Sequence, residues 1–559
     1  MVSHSPSQRY LSTRGGSYDL SFEEVVLKGL ASDGGLFIPE EIPQLPSDFL
    51  SKWKDYTFQQ LAYEIFSLYI SPDEIPAADL KDIIQRSYAS FRASDITPIV
   101  TLDEEKNLHL LELFHGPTFA FKDVALQFVG NLFEYFLVRR NSKKEGKSRE
   151  HLTVIGATSG DTGSAAIYGL RGKKDVSVFI MYPKGKVSPI QEAQMTTVTD
   201  ANVHNLAVEG TFDDCQDILK TLFADQELNS THRLGAVNSI NWARILAQIT
   251  YYIHAYFTLS RQTATTNPTA RFVVPTGNFG DILAGYFASR MGLPTDKLVI
   301  ATNENDILHR FWKTGYYEKQ ARHGKEIEGG GAEVEDGAKA DPSGVKMTYA
   351  PAMDILVSSN FERLLWYLAF QTSTTEETNR RRMEAGSKVK GWLEALKKDG
   401  GFGVEKEILA AAKKDFESER VSDKQTIETI KEVYNWSIPA AKHQTNGNAK
   451  PATTGMVHDG HYILDPHSAI GIAASLRQAQ TVSKGTHLIS LATAHPAKFS
   501  HAVELALQDV PGFTFETVLP EQFIGLDKLE KRITESKADW KQVREIVVRQ
   551  VEEELKGQR

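Results

Sequence analysis

The chain has 559 residues, 41% of them apolar and 24% charged, with a formal net charge of -9. That length exceeds what one hydrophobic core fills, so more than one domain is expected, and the composition excludes long disordered stretches. The acidic balance excludes a basic nucleic-acid footprint, the single cysteine (Cys215) excludes an intrachain disulfide, and no run reaches the roughly 20 apolar residues of a membrane span.

The first ten residues lack the apolar core of a secretion signal. With the lone cysteine, this points to the cytoplasm. Residues 50–92 read as helices, with apolar positions such as Leu61, Ile65 and Leu68 at helical spacing. From residue 108 onward, short apolar runs alternate with helical patterns. The runs are Leu108–Leu113, Leu152–Ala157, Val176–Tyr182, Phe272–Pro275, Leu298–Thr302 and Leu488–Ala492. Uniformly apolar strands alternating with helices predict mostly parallel sheet covered on both faces, an α/β fold. Polar stretches at 262–269, 323–344 and 442–454 read as linkers or surface insertions. Residues 374–435 read as a charged helical layer, and the tail from Asp527 as an exposed amphipathic helix. The expected division is a mainly helical region 1–100, an α/β lobe 101–270, and a second α/β lobe 271–559 with insertions near 323–344 and 374–454.

Three segments carry chemistry. Lys122 follows a predicted strand and opens a helix whose apolar stripe begins at Val124, and it is flanked by Phe119 and Phe121. A cation at the positive end of a helix dipole, among apolar rings, loses affinity for its proton, and a neutral amine is what Schiff-base chemistry needs. The plain alternative is a surface lysine paired with Asp123. The second segment, Thr158, Ser159, Gly160, Asp161 and Thr162, lies between a strand and a helix start. Its small residues, backbone donors and hydroxyls suit a carboxylate or phosphate, where an ordinary N-cap needs one such residue. The third, Gly277, Asn278, Phe279, Gly280 and Asp281, is again a glycine-bounded loop at a helix start. It lacks the Gly-Lys-Ser/Thr of a nucleotide loop and the Gly-x-Gly-x-x-Gly fingerprint, so its phosphate belongs to something other than ATP or a dinucleotide. Asp161-Thr162-Gly163 also matches the short motif of pepsin-like proteases, but no second copy supplies the partner aspartate. The histidines, including His458 and His461, do not complete a metal site by spacing.

In this order the three segments resemble the fold-type II pyridoxal-phosphate (PLP) enzymes of the tryptophan synthase β-like class, with two α/β lobes. The resemblance narrows to the threonine synthase family, in its fungal and bacterial branch. It is carried by Ser12-Thr-Arg-Gly15, Ser32-Asp-Gly-Gly-Leu-Phe-Ile-Pro39, His115-Gly-Pro-Thr-Phe-Ala-Phe-Lys122-Asp123, the Ser159-Gly-Asp161-Thr-Gly163 loop, Pro351-Ala-Met-Asp-Ile355 with its continuation to Arg363, and Thr493-Ala-His-Pro-Ala-Lys-Phe499. The resemblance implies that Lys122 holds PLP and moves protons, that Gly277 to Asp281 cradle the cofactor phosphate, and that Thr493 bonds the pyridine nitrogen. It implies that Thr158 to Thr162 grip the substrate carboxylate, with Asp161 where relatives carry Asn near the cofactor ring oxygen. Arg14, Lys498 and His115 are further candidates for the substrate phosphate. The implied reaction converts O-phospho-L-homoserine and water to L-threonine and phosphate. The alternatives are a phospho-lyase giving a 2-oxo acid, a non-catalytic protein on the same fold, and an ATP-binding protein; a retained Lys122 and the missing nucleotide loop argue against the last two.

Overall fold

In the computed structural model the described residues are 8–323, 344–436, 457–458 and 460–557. Most of the 323–344 insertion and all of 442–454 therefore lie outside the described residues. Eleven strands build two central sheets. They are β1 (Ile99–Asp103), β2 (Leu108–Glu112), β3 (Leu152–Ala157), β4 (Val176–Pro183), β5 (Val203–Glu209), β6 (Leu234–Ala236), β7 (Thr269–Pro275), β8 (Leu298–Thr302), β9 (Phe416–Arg420), β10 (Thr486–Ala492) and β11 (Thr534–Lys537). The larger sheet runs β9-β8-β7-β10-β2-β1, parallel except for the β1–β2 pair. The smaller runs β11-β5-β4-β3-β6 and is parallel throughout. Strands such as β4 and β10 are buried at every position, as expected where helices cover both faces.

Sheet membership does not follow the chain order of the expected spans. β1 and β2 join the sheet built from residues beyond 269, and β11, from the far end, joins the sheet of residues 152–236. A strand joins the sheet edge that offers it backbone partners, whatever its place in the chain, and β1 and β11 are both end strands. The stretch 374–435 holds the expected helices but also β9, which pairs with β8. The tail is likewise more than an exposed helix. β11 extends the small sheet, and the helix Trp540–Gly557 buries Val543, Ile546, Val547 and Val551.

The helix α1 (Lys122–Arg140) is the element most unlike its sequence pattern. From Asp123 to Phe133 every residue is buried, so it is an internal helix and not a surface one with a single stripe. It packs against α2 (Asp161–Leu170), and the two cross at glycines. A Cβ on Gly130 would lie 1.9 Å from the Gly169 carbonyl oxygen. This close approach fixes the first residues of the two helices, Lys122 and Asp161, relative to each other. The N-terminal region adds a strand pair (Tyr10–Ser12 with Phe37–Pro39) and the helices Phe58–Tyr69 and Ala77–Tyr88.

Candidate active site

The C-terminal ends of β2, β10 and β7 lie side by side. Ala492 is level with Glu112, and Ser490 with Val273. The loops that follow these strands, at 113–121, 493–499 and 276–279, therefore leave one edge of one sheet, where ligands of parallel α/β sheets collect. The lysine loop is tied to its neighbour. Phe121 N–H donates to the Thr493 carbonyl at 2.8 Å, and His495 N–H to the Phe119 carbonyl at 3.1 Å. Phe119 has φ +58°, a strained left-handed conformation, clamped by the Arg92 guanidinium 3.9 Å from its ring centroid and by the rings of His495 and Phe523.

Lys122 is the first residue of α1. Among the described residues its amine makes no hydrogen bond or ion pair, and it stands 5.8 Å from the centroid of the Phe121 ring. Burial lowers its affinity for a proton to a pKa of about 8. Asp161 and Asp123 pull it up, while Arg244 and Lys498 push it further down. Asp123 does not pair with it. It is buried, accepts from the Thr118 N–H (2.8 Å) and hydroxyl (2.7 Å), and burial raises its carboxyl to about 6 against those bonds.

The 276–280 turn leads into α3 (Gly280–Arg290) through Phe279 at φ +64°, whose ring packs among Trp312, Phe361 and Phe416. The backbone N–H groups from Gly277 to Asp281 find no acceptor among the described residues. The loop's other side is fixed by Ser358, whose hydroxyl donates to the Gly277 carbonyl at 2.7 Å, and by Ser359 at the Asn278 side-chain oxygen at 3.2 Å. Asp281 contributes only its backbone here. Its carboxylate turns inward to the hydroxyls of Tyr251 and Tyr252, and burial raises it to about 6.

In the loop before α2, the Thr158 hydroxyl accepts from Gly160 N–H (3.0 Å) and Gly163 N–H (2.9 Å), so it shapes the turn and is not free for a ligand. Asp161 accepts from Lys498 at 2.5 Å and Gln191 at 2.8 Å. Burial alone would raise its carboxyl, but the charges of Lys498 and Lys122 bring it to about 2. Ser159 is exposed and Thr162 half-buried, and their hydroxyls remain available.

The three further candidates for a substrate phosphate are all taken. Arg14 forks onto Glu362 (3.0 and 2.9 Å), Lys498 holds Asp161, and His115 meets Glu112 at 2.7 Å. A cation missing from the sequence reading stands free. Arg244, in the first turn of the helix Trp242–Thr263, is buried, its guanidinium makes no hydrogen bond or ion pair among the described residues, and its charge acts on Lys122. A lone arginine inside the apolar run Trp242-Ala-Arg-Ile-Leu-Ala was the signal. Gln191 and Gln194 were also missed, since amides on a surface-like pattern carry no mark.

Three family models cover most of the chain. Residues 9–88 match the threonine synthase N terminus, 93–348 the pyridoxal-phosphate dependent enzymes, and 468–547 the threonine synthase C-terminal region. The threonine synthase of Schizosaccharomyces pombe is 56% identical, over 92% of this chain and 93% of its own length. The chain belongs to the threonine synthase family. Two solved structures of the family agree in fold. That of threonine synthase from yeast has a TM-score of 0.86 at 51% identity, covering 98% of this chain and 99% of its own. That of PLP-bound threonine synthase from Brucella melitensis has 0.79 at 37%, covering 97% and 99%. The fold class expected from the resemblance, a fold-type II pyridoxal-phosphate enzyme, and the threonine synthase assignment both stand. Among the described residues no helix of this threonine synthase family member is long and apolar enough to cross a membrane.

Proposed function

We propose that this enzyme converts O-phospho-L-homoserine and water to L-threonine and inorganic phosphate, using PLP held at the edge shared by β2, β10 and β7. The observation that carries the reading is the buried amine of Lys122, unpaired among the described residues, on the same sheet edge as a row of backbone N–H groups that find no acceptor among those residues. The residues present fit the cofactor. The N–H groups of Gly277, Asn278, Phe279, Gly280 and Asp281 lie at the positive end of α3, suited to a phosphate dianion. Lys122 would supply the amine that binds the cofactor aldehyde, and Thr493, just past β10, would offer its hydroxyl to the ring nitrogen. A neutral hydroxyl there would leave the ring less electron-withdrawing than a carboxylate would. PLP when bound supplies the electron sink for the substrate's α-carbon.

The chain's own groups do the rest. The N–H groups and hydroxyls of Ser159 and Thr162 at the start of α2 hold the substrate carboxylate. Arg244 meets the substrate phosphate and stabilises the charge that gathers on it as it leaves Cγ. Lys122 Nζ takes the Cα proton and then moves protons at Cβ. An amine whose pKa lies near 8 serves both directions of transfer. The single cysteine supports the cytoplasm as the place of work.

The test is a visible spectrum followed by product analysis on O-phosphohomoserine. The expected result is a cofactor band lost in Lys122→Ala, with phosphate and threonine released together. Phosphate with 2-oxobutyrate would make the protein a lyase, and no band after adding PLP would end the reading.

A further inference from the structure

Asp161 stands between two lysines, and only one of them reaches it. Lys498 Nζ lies 2.5 Å from Asp161 Oδ1 and donates to the Thr118 carbonyl at 2.9 Å, with its side chain fully buried. Gln191 Nε2 donates to the same carboxylate oxygen at 2.8 Å, and Gln194 Nε2 joins at the Thr118 carbonyl at 3.1 Å. Four segments meet here: the loop after β10, the lysine loop, the start of α2, and the helix Pro189–Thr196 that carries both glutamines. A fully buried lysine is rare unless paired, and a buried carboxylate captures whatever cation it can reach. The other amine near it is Lys122, which has no ionic partner among the described residues.

We propose that Lys498 is a positioning residue for the reaction: by occupying Asp161 it leaves the amine of Lys122 without an anionic partner and free to act. The proposal rests on the reading of Lys122 as the reactive amine. The groups that face Lys122 are Asp161 and Asp123, which favour its charged form, and Arg244 and Lys498, which oppose it. Neutralising Lys498 removes an opposing cation and releases Asp161 toward Lys122. Both changes act in the same direction, toward a Lys122 that keeps its proton to higher pH. Neutralising Asp161 acts in the opposite direction.

The experiment titrates the visible band of the holoenzyme with pH and, alongside it, the pH profile of kcat/KM. In Lys498→Gln the midpoint is expected to rise by roughly one unit or more, with a roughly tenfold loss of rate below the midpoint for each unit. Adding Asp161→Asn to that variant returns the midpoint toward that of the unaltered enzyme, and Asp161→Asn alone lowers it. An unmoved midpoint in Lys498→Gln, even with lower thermal stability, reduces the pair to a structural tie and overturns the proposal. So does a double variant that fails to reverse the shift. If Lys498→Gln does not fold, Asp161→Asn alone decides, a lowered midpoint supporting the proposal and an unmoved one overturning it. A band that survives in Lys122→Ala would instead defeat the reading of Lys122, so the two failures are distinct.

Discussion

Among the described residues no hydrogen-bond acceptor or carboxylate meets the Arg244 guanidinium. Burial lowers its pKa to about 10, which still leaves it cationic at neutral pH. A buried guanidinium without a partner costs folding energy, and such a cost persists where a ligand repays it. Strain is stored in the same manner in the left-handed Phe119 and Phe279, which lie within the lysine loop and at the end of the 276–280 turn. Replacing Arg244 with Met keeps the stem and removes the charge. Arg244→Met is expected to raise the KM for O-phosphohomoserine by roughly 10–100-fold, the worth of about 1.5–3 kcal/mol for a charge-assisted bond. The ligand-free protein should melt no lower, because an unpaired buried cation has been removed. Initial rates by phosphate release, with a thermal melt beside them, check both parts. An unchanged KM would take Arg244 out of the phosphate site.

At the scale of elements, what the sequence showed depended on which physical signal each piece obeys. The strands Leu152–Ala157, Val176–Pro183, Leu298–Thr302 and Thr486–Ala492 were legible because they are buried on both faces and read as unbroken apolar runs. β5 was not legible, since His204 and Asn205 interrupt it. Both are buried and held by groups outside the strand, His204 by Glu554 and the Asn205 amide nitrogen by the Met195 and Arg532 carbonyls. β9, Phe-Glu-Ser-Glu-Arg, is an edge strand whose charges face ion-pair partners such as Arg271 and Lys297. The glycine-bounded turns were legible as anion sites, but the direction of a side chain was not. Asp281 pointing inward and Thr158 serving its own loop are decided by tyrosines and backbone groups that local pattern does not reveal. Of these turns the one at Gly277 is the most exacting. A Cβ there would sit 3.1 Å from the Ala352 carbonyl oxygen and 3.3 Å from Met353 Cα, both backbone atoms with little room to yield. Gly277→Ala is expected to tilt the N–H row and weaken PLP binding by roughly tenfold, about 1.4 kcal/mol, while the fold survives. Titrating the visible band with PLP measures it, and an unchanged affinity would place the cofactor phosphate elsewhere.

On the scale of the whole molecule, the two sheets are joined by a chain that crosses between them several times, and the last crossing is the tail. β11 covers the open edge of β5, in register from Leu206 to Glu209, which shields strand groups that would otherwise pair with another chain. The following helix packs on the helix Phe212–Ala224, and its Val543, Ile546, Val547 and Val551 share one buried cluster with Cys215, Ile218 and Leu222 of that helix and with Ile155, Phe179, Met181, Leu206 and Val208 of the sheet. At about 1.5–3 kcal/mol per buried side chain, this contact is worth several kcal/mol, an upper figure because unfolded chains already bury some surface. Glu554 anchors its far end, accepting from the Ser177 hydroxyl at 2.6 Å and meeting His204 at 2.5 Å, where the imidazole stacks on Phe179. Ile155 lies on β3, the strand whose end carries the Asp161 loop, so the tail supports the substrate side of the site from behind. A chain ended at Glu530 should therefore lose hydrogen-exchange protection across β3, β4 and β5 while β7, β8 and β10 keep theirs. It should retain PLP at the 277–281 turn but lose most turnover. Equal loss across both sheets would mean that they unfold as one unit, and full protection in β3 to β5 would mean that the tail is dispensable to the lobe it covers.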